Sequence, residues 1–324
     1  MKKCMATLAL AMMAFSTHAS ADNYPSRYIT MVVPYAAGGP SDVFGRILAE
    51  GMSRTLGQRV VVENVTGAGG IIAGTRVSKA TPDGYQVLLG NVGTNALVTS
   101  LYTQPPYDAV KDFEPVILLS RDTRVLLTNP DFPVKTFPEF IEHLKKNAKT
   151  MQFASGGVGS TAHAGCLLMN RKLGVDVTHV PYRGAGPAMQ DLIAGRIDYM
   201  CDAVSSTLSN IQGGKLKPIV IFGAERTALL PGVPTTKELG MPDLDVTGWQ
   251  SFFVPKGTPK HIVQILNKAA SEALDNPEVR ERLKSLGENP PPVSERTPEY
   301  LSEFARQETE KWRGPIQASG VKLN

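Results

Sequence analysis

An excess of charge of either sign is missing from this 324-residue sequence. Lys and Arg number 34 against 30 Asp and Glu, which gives a formal net charge of +4. No stripe of basic residues is present, so the sequence does not fit a nucleic-acid-binding protein. Long apolar runs are also missing after residue 22. We therefore expect that the mature chain is not itself a membrane protein.

The first 21 residues differ from the rest of the sequence. MKKCMATLALAMMAFSTHASA begins with a positively charged end, continues as a short apolar stretch and closes with Ala-Ser-Ala. We interpret residues 1–21 as a Sec-type signal peptide, because the apolar stretch is too short to span a bilayer permanently. Cys4 precedes that stretch, so it cannot be a lipoprotein anchor. The mature protein is thus predicted to be exported.

Cysteine is scarce, and the common catalytic motifs are absent. Export makes a disulfide between Cys166 and Cys201 possible, but their separation says nothing about proximity, and we interpret both as small apolar fillers. There is no Gly-x-Ser-x-Gly, no His-Glu-x-x-His and no P-loop lysine. His163 and Cys166 could share one helix face as metal ligands, but a third and a fourth are missing. We predict no catalysis, no metal and no cofactor.

Strand-like and helix-like segments alternate along the predicted mature chain, which indicates mostly parallel sheets covered by helices. The pattern begins again after an extended stretch at 115–129, and a second extended stretch at 216–254 leads to the C-terminal helices. We predict an α/β fold with two lobes and two crossover strands. Residues 22–123 and 225–324 would form the first lobe, and residues 124–224 the second. A single large doubly wound sheet is the alternative.

The first strand ends in a glycine turn, PYAAGGPSD, that leads into a helix. Gly38 and Gly39 would let the backbone approach a ligand closely, and the helix that starts near Ser41 would present its N-terminus to an anion. A purely conformational role for the glycines is the alternative.

A second glycine turn, SGGVGSTAHAG, also leads from a strand into a helix. Residues 157–162 match the dinucleotide fingerprint, with Asp176 at a suitable distance for a ribose hydroxyl. The motif lies mid-chain, however, and export argues against a soluble nicotinamide cofactor. We favour a site in which the two helix N-termini, carrying Ser41 in one and Ser160 and Thr161 in the other, converge on one anionic ligand. His163 would have one of two roles. It would make a contact to the ligand or to the helix cap, or it would pack in the core.

Several ordered segments together carry a family resemblance. They include YITMVVPYAAGGPSDVFGR, FASGGVGSTAHAG, VPYRGAGPAMQDLIAGRIDYMCD and VPTTKELG. In these segments the sequence resembles the Bug-type solute receptors, the periplasmic components of tripartite tricarboxylate transporters. The resemblance implies a Venus-flytrap periplasmic binding protein fold with a carboxylate ligand in the cleft. It also implies a monomer that works with integral membrane transporter subunits.

The same resemblance implies which residues bind the ligand. In the first lobe they are Tyr35, Ala36, Ala37, Gly38, Gly39, Ser41, Asp42, Thr94 and Asn95. In the second lobe they are Gly159, Ser160, Thr161, His163, Tyr182, Arg183, Cys201 and Asp202.

Departures from the family pattern bear on the ligand. Residues 36–37 and 93–95 are smaller than is usual in the family, which suggests a wider cleft and an aromatic dicarboxylate such as terephthalate. Arg121 and Arg124 could pair with a distal carboxylate, but we expect surface pairs near the hinge. Asp202 would repel a carboxylate unless it orients an amine, a hydroxyl or the hinge. Amino acids, hydroxy acids and dicarboxylates therefore stay open.

These features predict a periplasmic receptor that closes two lobes on a small organic carboxylate and delivers it to a membrane transporter. A receptor for a membrane sensor kinase would use the same residues. An exported carboxylate-processing enzyme is a third possibility, and it would need a polarised acid–base group in the cleft.

Overall fold

The computed structural model describes residues 24–320 and residue 322. The predicted signal peptide lies outside these residues. None of the described helices combines the length and the apolar character needed to cross a membrane.

The described strands form two separate sheets. In chain order they are β1 (Ile29–Val33), β2 (Val60–Asn64), β3 (Gln86–Asn91), β4 (Phe113–Asp122), β5 (Arg124–Thr128), β6 (Gln152–Ser155), β7 (Thr178–Pro181), β8 (Tyr199–Ala203), β9 (Lys217–Phe222), β10 (Gly248–Pro255) and β11 (Glu288–Asn289).

Helices cover both sheets. They are α1 (Pro40–Leu56), α2 (Ile71–Ser78), α3 (Val98–Leu101), α4 (Phe137–Asn147), α5 (Thr161–Lys172), α6 (Ala185–Ile193), α7 (Val204–Gln212), α8 (Lys260–Asp275), α9 (Pro277–Ser285) and α10 (Pro298–Ser319). Short 3₁₀ turns at Ala68–Gly70 and Val293–Glu295 and a π-helical turn at Gly93–Leu97 complete the set. The predicted capping box is present at α4, where the Thr136 side chain accepts a hydrogen bond from the Glu139 amide.

The first lobe is built on the six-stranded sheet, ordered β11-β4-β10-β3-β1-β2, and the second lobe on the five-stranded sheet, ordered β7-β6-β8-β5-β9. β1 is parallel to β2 and β3, and β6 is parallel to β7 and β8. β10 is antiparallel to β3 and β4, and β5 is antiparallel to β8 and β9. The sheets are therefore mixed rather than mostly parallel, because strands that cross between lobes run against their neighbours.

The chain crosses between the lobes twice. β4 ends at Asp122 in the first sheet, and β5 begins at Arg124 in the second, with Thr123 between them. The return runs from the end of β9 at Phe222 to the start of β10 at Gly248. The predicted two-lobed α/β fold is confirmed, and the single large sheet is wrong.

The C-terminal helices fold back on the first lobe, as predicted. α8 and α9 pack against α1, and a Cβ at Gly51 of α1 would lie 2.9 Å from the Cβ of Ala273 in α8. Glycine thus permits the close approach of these two helices. α10 packs against β4 and also reaches α5 of the second lobe.

A disulfide joins Cys166 of α5 to Cys201 of β8, with their Cα atoms 5.5 Å apart. The interpretation of both cysteines as simple apolar fillers is therefore wrong, although both are buried. Because α5 lies against β8, the two side chains meet across a helix–sheet contact that sequence separation does not reveal. The bond ties together two elements that carry residues of the cleft.

Candidate functional site

The glycine turns of the two lobes meet face to face. The amide of Ala36 donates a hydrogen bond to the carbonyl of Arg183, with a length of 3.3 Å. Side chains would not fit at two further contacts: a Cβ at Gly69 would overlap the carbonyl of Val158, and a Cβ at Gly93 would lie 2.7 Å from the carbonyl of Gly159. The lobes are thus closed on one another.

A small cavity lies between the closed lobes. It is lined by Tyr35, Pro40, Ser41, Asn91 and Gln250 of the first lobe and by Arg124, Gly156, Ser160, Thr161, Ala162, Ala185 and Asp202 of the second. The volume of the cavity is about 30 Å³. The start of α1, the start of α5 and the first residue of α6 all line this cavity. A dinucleotide would not fit.

Five of the residues expected to bind ligand line this cavity. They are Tyr35, Ser41, Ser160, Thr161 and Asp202. The other twelve are not among the lining residues: Ala36, Ala37, Gly38, Gly39, Asp42, Thr94, Asn95, Gly159, His163, Tyr182, Arg183 and Cys201.

The small residues of the first-lobe turns do not widen the cleft. A Cβ at Gly184 would lie 3.0 Å from the Cβ of Ala36, so these two residues pack against each other across the seam. Gly93 likewise permits the approach of Gly159. The interpretation of these positions as a wider cleft is wrong, because small side chains here let the lobes come closer together.

Asp42 supports the first-lobe turn from inside. Its Oδ2 accepts hydrogen bonds from the Gly38 amide at 3.0 Å and from Arg46 Nε at 3.1 Å, and its Oδ1 accepts one from Asn64 Nδ2 at 3.0 Å. Burial acts to raise the pKa of Asp42, but these hydrogen bonds and the charge of Arg46 hold that pKa below its usual value. The carboxylate therefore acts as an internal cap of the turn.

His163 has a comparable role in the second lobe. Its Nδ1 accepts a hydrogen bond from the Gly159 amide at 3.2 Å, and its amide donates to Ser160 Oγ, the N-cap of α5. The ring packs against His179, with centroids 4.3 Å apart. Burial lowers the pKa of His163 to about 4, so the ring is neutral at pH 7. His163 is a packed residue that also holds the turn.

Arg124 lies in the cavity wall and not at the surface. Its Nε is 2.6 Å from Asp122 Oδ1, its Nη2 donates to Asp122 Oδ2 at 3.0 Å, and its Nη1 donates to Asp202 Oδ1 at 3.3 Å. The three side chains are between 1% and 6% exposed. The predicted surface pairing is wrong for Arg124, but Arg121 does form such a pair with Glu295 at 2.7 Å.

Asp202 shares Arg124 with Asp122 and has a second partner in Ser206, whose Oγ donates to its Oδ2 at 3.3 Å. Burial raises the pKa of Asp202 to about 6, although the charge of Arg124 acts to lower it. The carboxyl is therefore an internal partner of Arg124 as well as part of the cavity wall.

A third carboxyl, Glu288, adjoins this group at the seam between the lobes. Glu288 pairs with Asp122 across β11 and β4, and its Oε2 accepts a hydrogen bond from Ser120 Oγ at 2.7 Å. Burial, followed by the neighbouring Asp122, raises the pKa of Glu288 to about 8; Ser120, Ser205 of α7 and Arg124 act to lower it. Three buried carboxyls thus surround one guanidinium.

Glu288→Gln is expected to flatten the decline of stability with pH. The folded state keeps a proton on Glu288 up to about pH 8, whereas its ordinary pKa is 4.5. Between these values the folded state binds the extra proton, so stability falls as pH rises, by at most about 1.4 kcal/mol per pH unit. Urea denaturation at pH 6, 7 and 8 measures this slope. Glu281→Gln, at an exposed position of α9, is the control, and equal slopes in all three proteins would contradict the account.

Sequence reasoning missed Asn91 and Gln250, which line the first-lobe wall. Asn91 is the last residue of β3 and lies at the same sheet edge as the turn after β1, so its position was open to prediction. Gln250 lies opposite Asn91 on β10, and its Nε2 donates to Ser41 Oγ at 3.1 Å. No sequence signal places β10 in the middle of the first sheet.

No metal site is evident in residues 24–320 and 322. No group of three or more His, Cys, Asp or Glu side chains in this part of the chain is arranged to hold an ion. The pair of His163 and Cys166 is not available either, because Cys166 is bonded to Cys201.

Comparison with known proteins assigns the chain to a family. The family described as "Tripartite tricarboxylate transporter family receptor" matches residues 44–321. MatC (Rpa3494) from Rhodopseudomonas palustris, with bound malate, is 41% identical, with a TM-score of 0.88 over 90% of this chain and 100% of that one. The periplasmic binding protein BugD is 38% identical, with a TM-score of 0.89 over 93% and 100%.

A third structure, R. palustris Rpa4515 with adipate, is 29% identical, with a TM-score of 0.87 over 93% of this chain and 100% of that one. Together these matches extend over nearly all of the described residues and share the two-lobed periplasmic binding protein fold. The chain therefore belongs to the receptors of the tripartite tricarboxylate transporter family, the Bug-type periplasmic solute-binding proteins.

Proposed function

We propose that this protein is exported to the periplasm, captures a small organic carboxylate by closing its two lobes, and delivers it to the membrane subunits of a tripartite tricarboxylate-type transporter. It acts as a monomer and carries out no reaction on its ligand. The observation that carries the proposal is that the first turns of α1 and α5, from opposite lobes, line the same cavity.

The chemistry of these helix ends suits a carboxylate. Amide groups in the first turn of a helix lack intrahelical acceptors, and the helix dipole adds a partial positive charge there. Ser41, Ser160 and Thr161 add hydroxyl groups at the same ends. Arg124 is shared by Asp122 and Asp202, so its charge is largely compensated inside the protein. Only the closed state brings both helix ends to one ligand, so binding energy favours closure.

The ligands of similar structures guide the choice of ligand class. The malate and adipate bound by the similar structures support an aliphatic dicarboxylate or hydroxy acid. Terephthalate, which the sequence suggested, stays a prediction that requires the lobes to close less tightly around the rigid ring.

Ser160→Ala with Thr161→Ala is expected to weaken binding of the preferred carboxylate by about 10- to 100-fold, because hydrogen bonds to a charged group are lost. Isothermal titration calorimetry with malate, succinate, adipate and terephthalate measures this.

Thr136→Ala is the matched control for this variant. It removes the N-cap of α4, a helix with no residue in the cavity lining, and should cost similar stability without changing affinity. Unchanged affinity in the Ser160/Thr161 variant would contradict the site. Binding of none of the four carboxylates, or turnover of a bound one detected by NMR, would contradict the function.

A further inference from the structure

Asn91 occupies a central position in the cavity wall. It ends β3, between β1 and β10 in the first sheet, and it is 2% exposed. Tyr35 lies beside it on one side and Gln250 faces it across the strand pair, and all three line the cavity. Any ligand held against the first lobe would therefore lie next to the Asn91 amide.

The orientation of this amide is fixed by its neighbours. Asn91 Oδ1 accepts hydrogen bonds from the Gly93 amide at 2.8 Å and from the Tyr35 hydroxyl at 3.2 Å, and the Thr94 amide lies 3.4 Å away. A backbone amide can only donate, so the Gly93 and Thr94 amides require that atom to be the oxygen, and the NH₂ group must point elsewhere. Burial raises the pKa of Tyr35 to about 12, so its hydroxyl keeps the proton that it donates.

The NH₂ group of Asn91 lacks an acceptor. Nδ2 is buried and has no hydrogen-bond partner among the residues that the structure describes. Buried donors in folded proteins are normally paired, and an unpaired one is costly. Because the side chain lines the cavity, an acceptor can come from a molecule bound there.

We infer that Asn91 Nδ2 donates a hydrogen bond to an oxygen atom of the bound ligand and so selects an acceptor group at the first-lobe wall. The inference rests on the proposed function and deepens it. A carboxylate, hydroxyl or carbonyl oxygen satisfies the amide, whereas an ammonium group brings only donors to it. Asn91 thus sets which end of an asymmetric ligand faces β3.

Asn95 offers a matched control. It is buried as well, and its Nδ2 also lacks a partner in the described part of the chain. Its Oδ1 accepts from Thr94 Oγ1 at 2.7 Å, but the residue does not line the cavity. A substitution there alters the same turn and introduces the same charge at a position outside the cavity lining.

N91D and N95D are to be compared by calorimetry at pH 8, with the carboxylate that binds most tightly to wild type among malate, succinate, adipate and terephthalate. N91D keeps an oxygen for Gly93 and Tyr35 but replaces the donor with a charged acceptor. We expect about a 10- to 100-fold loss of affinity for N91D and little change for N95D.

Three results would overturn the inference. N91D could bind the ligand as tightly as wild type does. That result would rule out the contact from Asn91 and leave the proposed receptor function standing. N95D could lose as much affinity as N91D, which would assign the effect to charge in the turn. Wild type could bind none of the four carboxylates, which would overturn the proposed function and this inference with it. If N91D does not fold, a crystal structure of wild type with malate decides: we expect a ligand oxygen within about 2.7–3.2 Å of Nδ2.

Discussion

Arg124→Met is expected to lower the free energy of unfolding by about 3–5 kcal/mol at pH 7.5, the cost of leaving buried charges unpaired. Asp122 and Asp202 would lose their shared cation while their side chains are 1% and 2% exposed. Glu288, which is also buried, adds a third carboxyl to the same group. Met preserves most of the apolar stem, so the loss reports on charge more than on packing. Urea denaturation measures it.

The pH dependence of this loss follows from the same charges. Burial already raises the pKa of Asp202 to about 6 against the charge of Arg124, which acts to lower it. Without Arg124 the pKa of Asp202 would rise further. A carboxyl whose pKa is raised on folding contributes stability that is lost as the pH rises through its pKa in the folded state. The difference in the free energy of unfolding between wild type and the variant should therefore be smaller at pH 5 than at pH 7.5.

Arg121→Met is the matched control. Arg121 lies three residues earlier and pairs with Glu295 while its side chain is 32% exposed, so its removal should cost less than about 1 kcal/mol. Equal losses in the two variants, or a loss for Arg124→Met that does not depend on pH, would contradict the assignment of a buried charge cluster.

Much of the architecture could be read from local patterns. Apolar residues at helical spacing in α1, the capping box of α4 and the glycine turns after β1 and β6 each depend on residues within a few positions of one another. Because parallel strands place their carboxyl ends at one sheet edge, two such turns in different lobes could be expected to meet at a ligand. In the structure the two turns do meet across the seam, and both contribute residues to one cavity.

What could not be read depends on contacts between distant residues. Arg124 is buried because Asp202, 78 positions later, lies beside it across β5 and β8. Cys166 and Cys201 meet because α5 packs on β8. A Cβ at Gly184 would crowd Ala36 of the other lobe, at 3.0 Å from its Cβ. In each case the sequence shows the residue but does not show which distant residue it will meet.

A disulfide across the seam would hold the lobes closed. A Cβ at Gly39 would lie 3.9 Å from the Cβ of Ala185, within the range for a disulfide of about 3.5–4.5 Å. Gly39 has a φ of −83°, which cysteine adopts readily. Gly39→Cys with Ala185→Cys should therefore form a crosslink on oxidation, while the buried native disulfide stays intact.

In the proposed mechanism the ligand lies between the lobes and leaves only when they open. The most direct test is the release of isotope-labelled ligand from this double variant, loaded first and oxidised afterwards, with the single Gly39→Cys variant treated in the same way. We expect the label to stay bound to the crosslinked protein until a reductant is added, and to leave the single variant freely. Equally fast release from both proteins would show that the ligand is not enclosed by the two lobes.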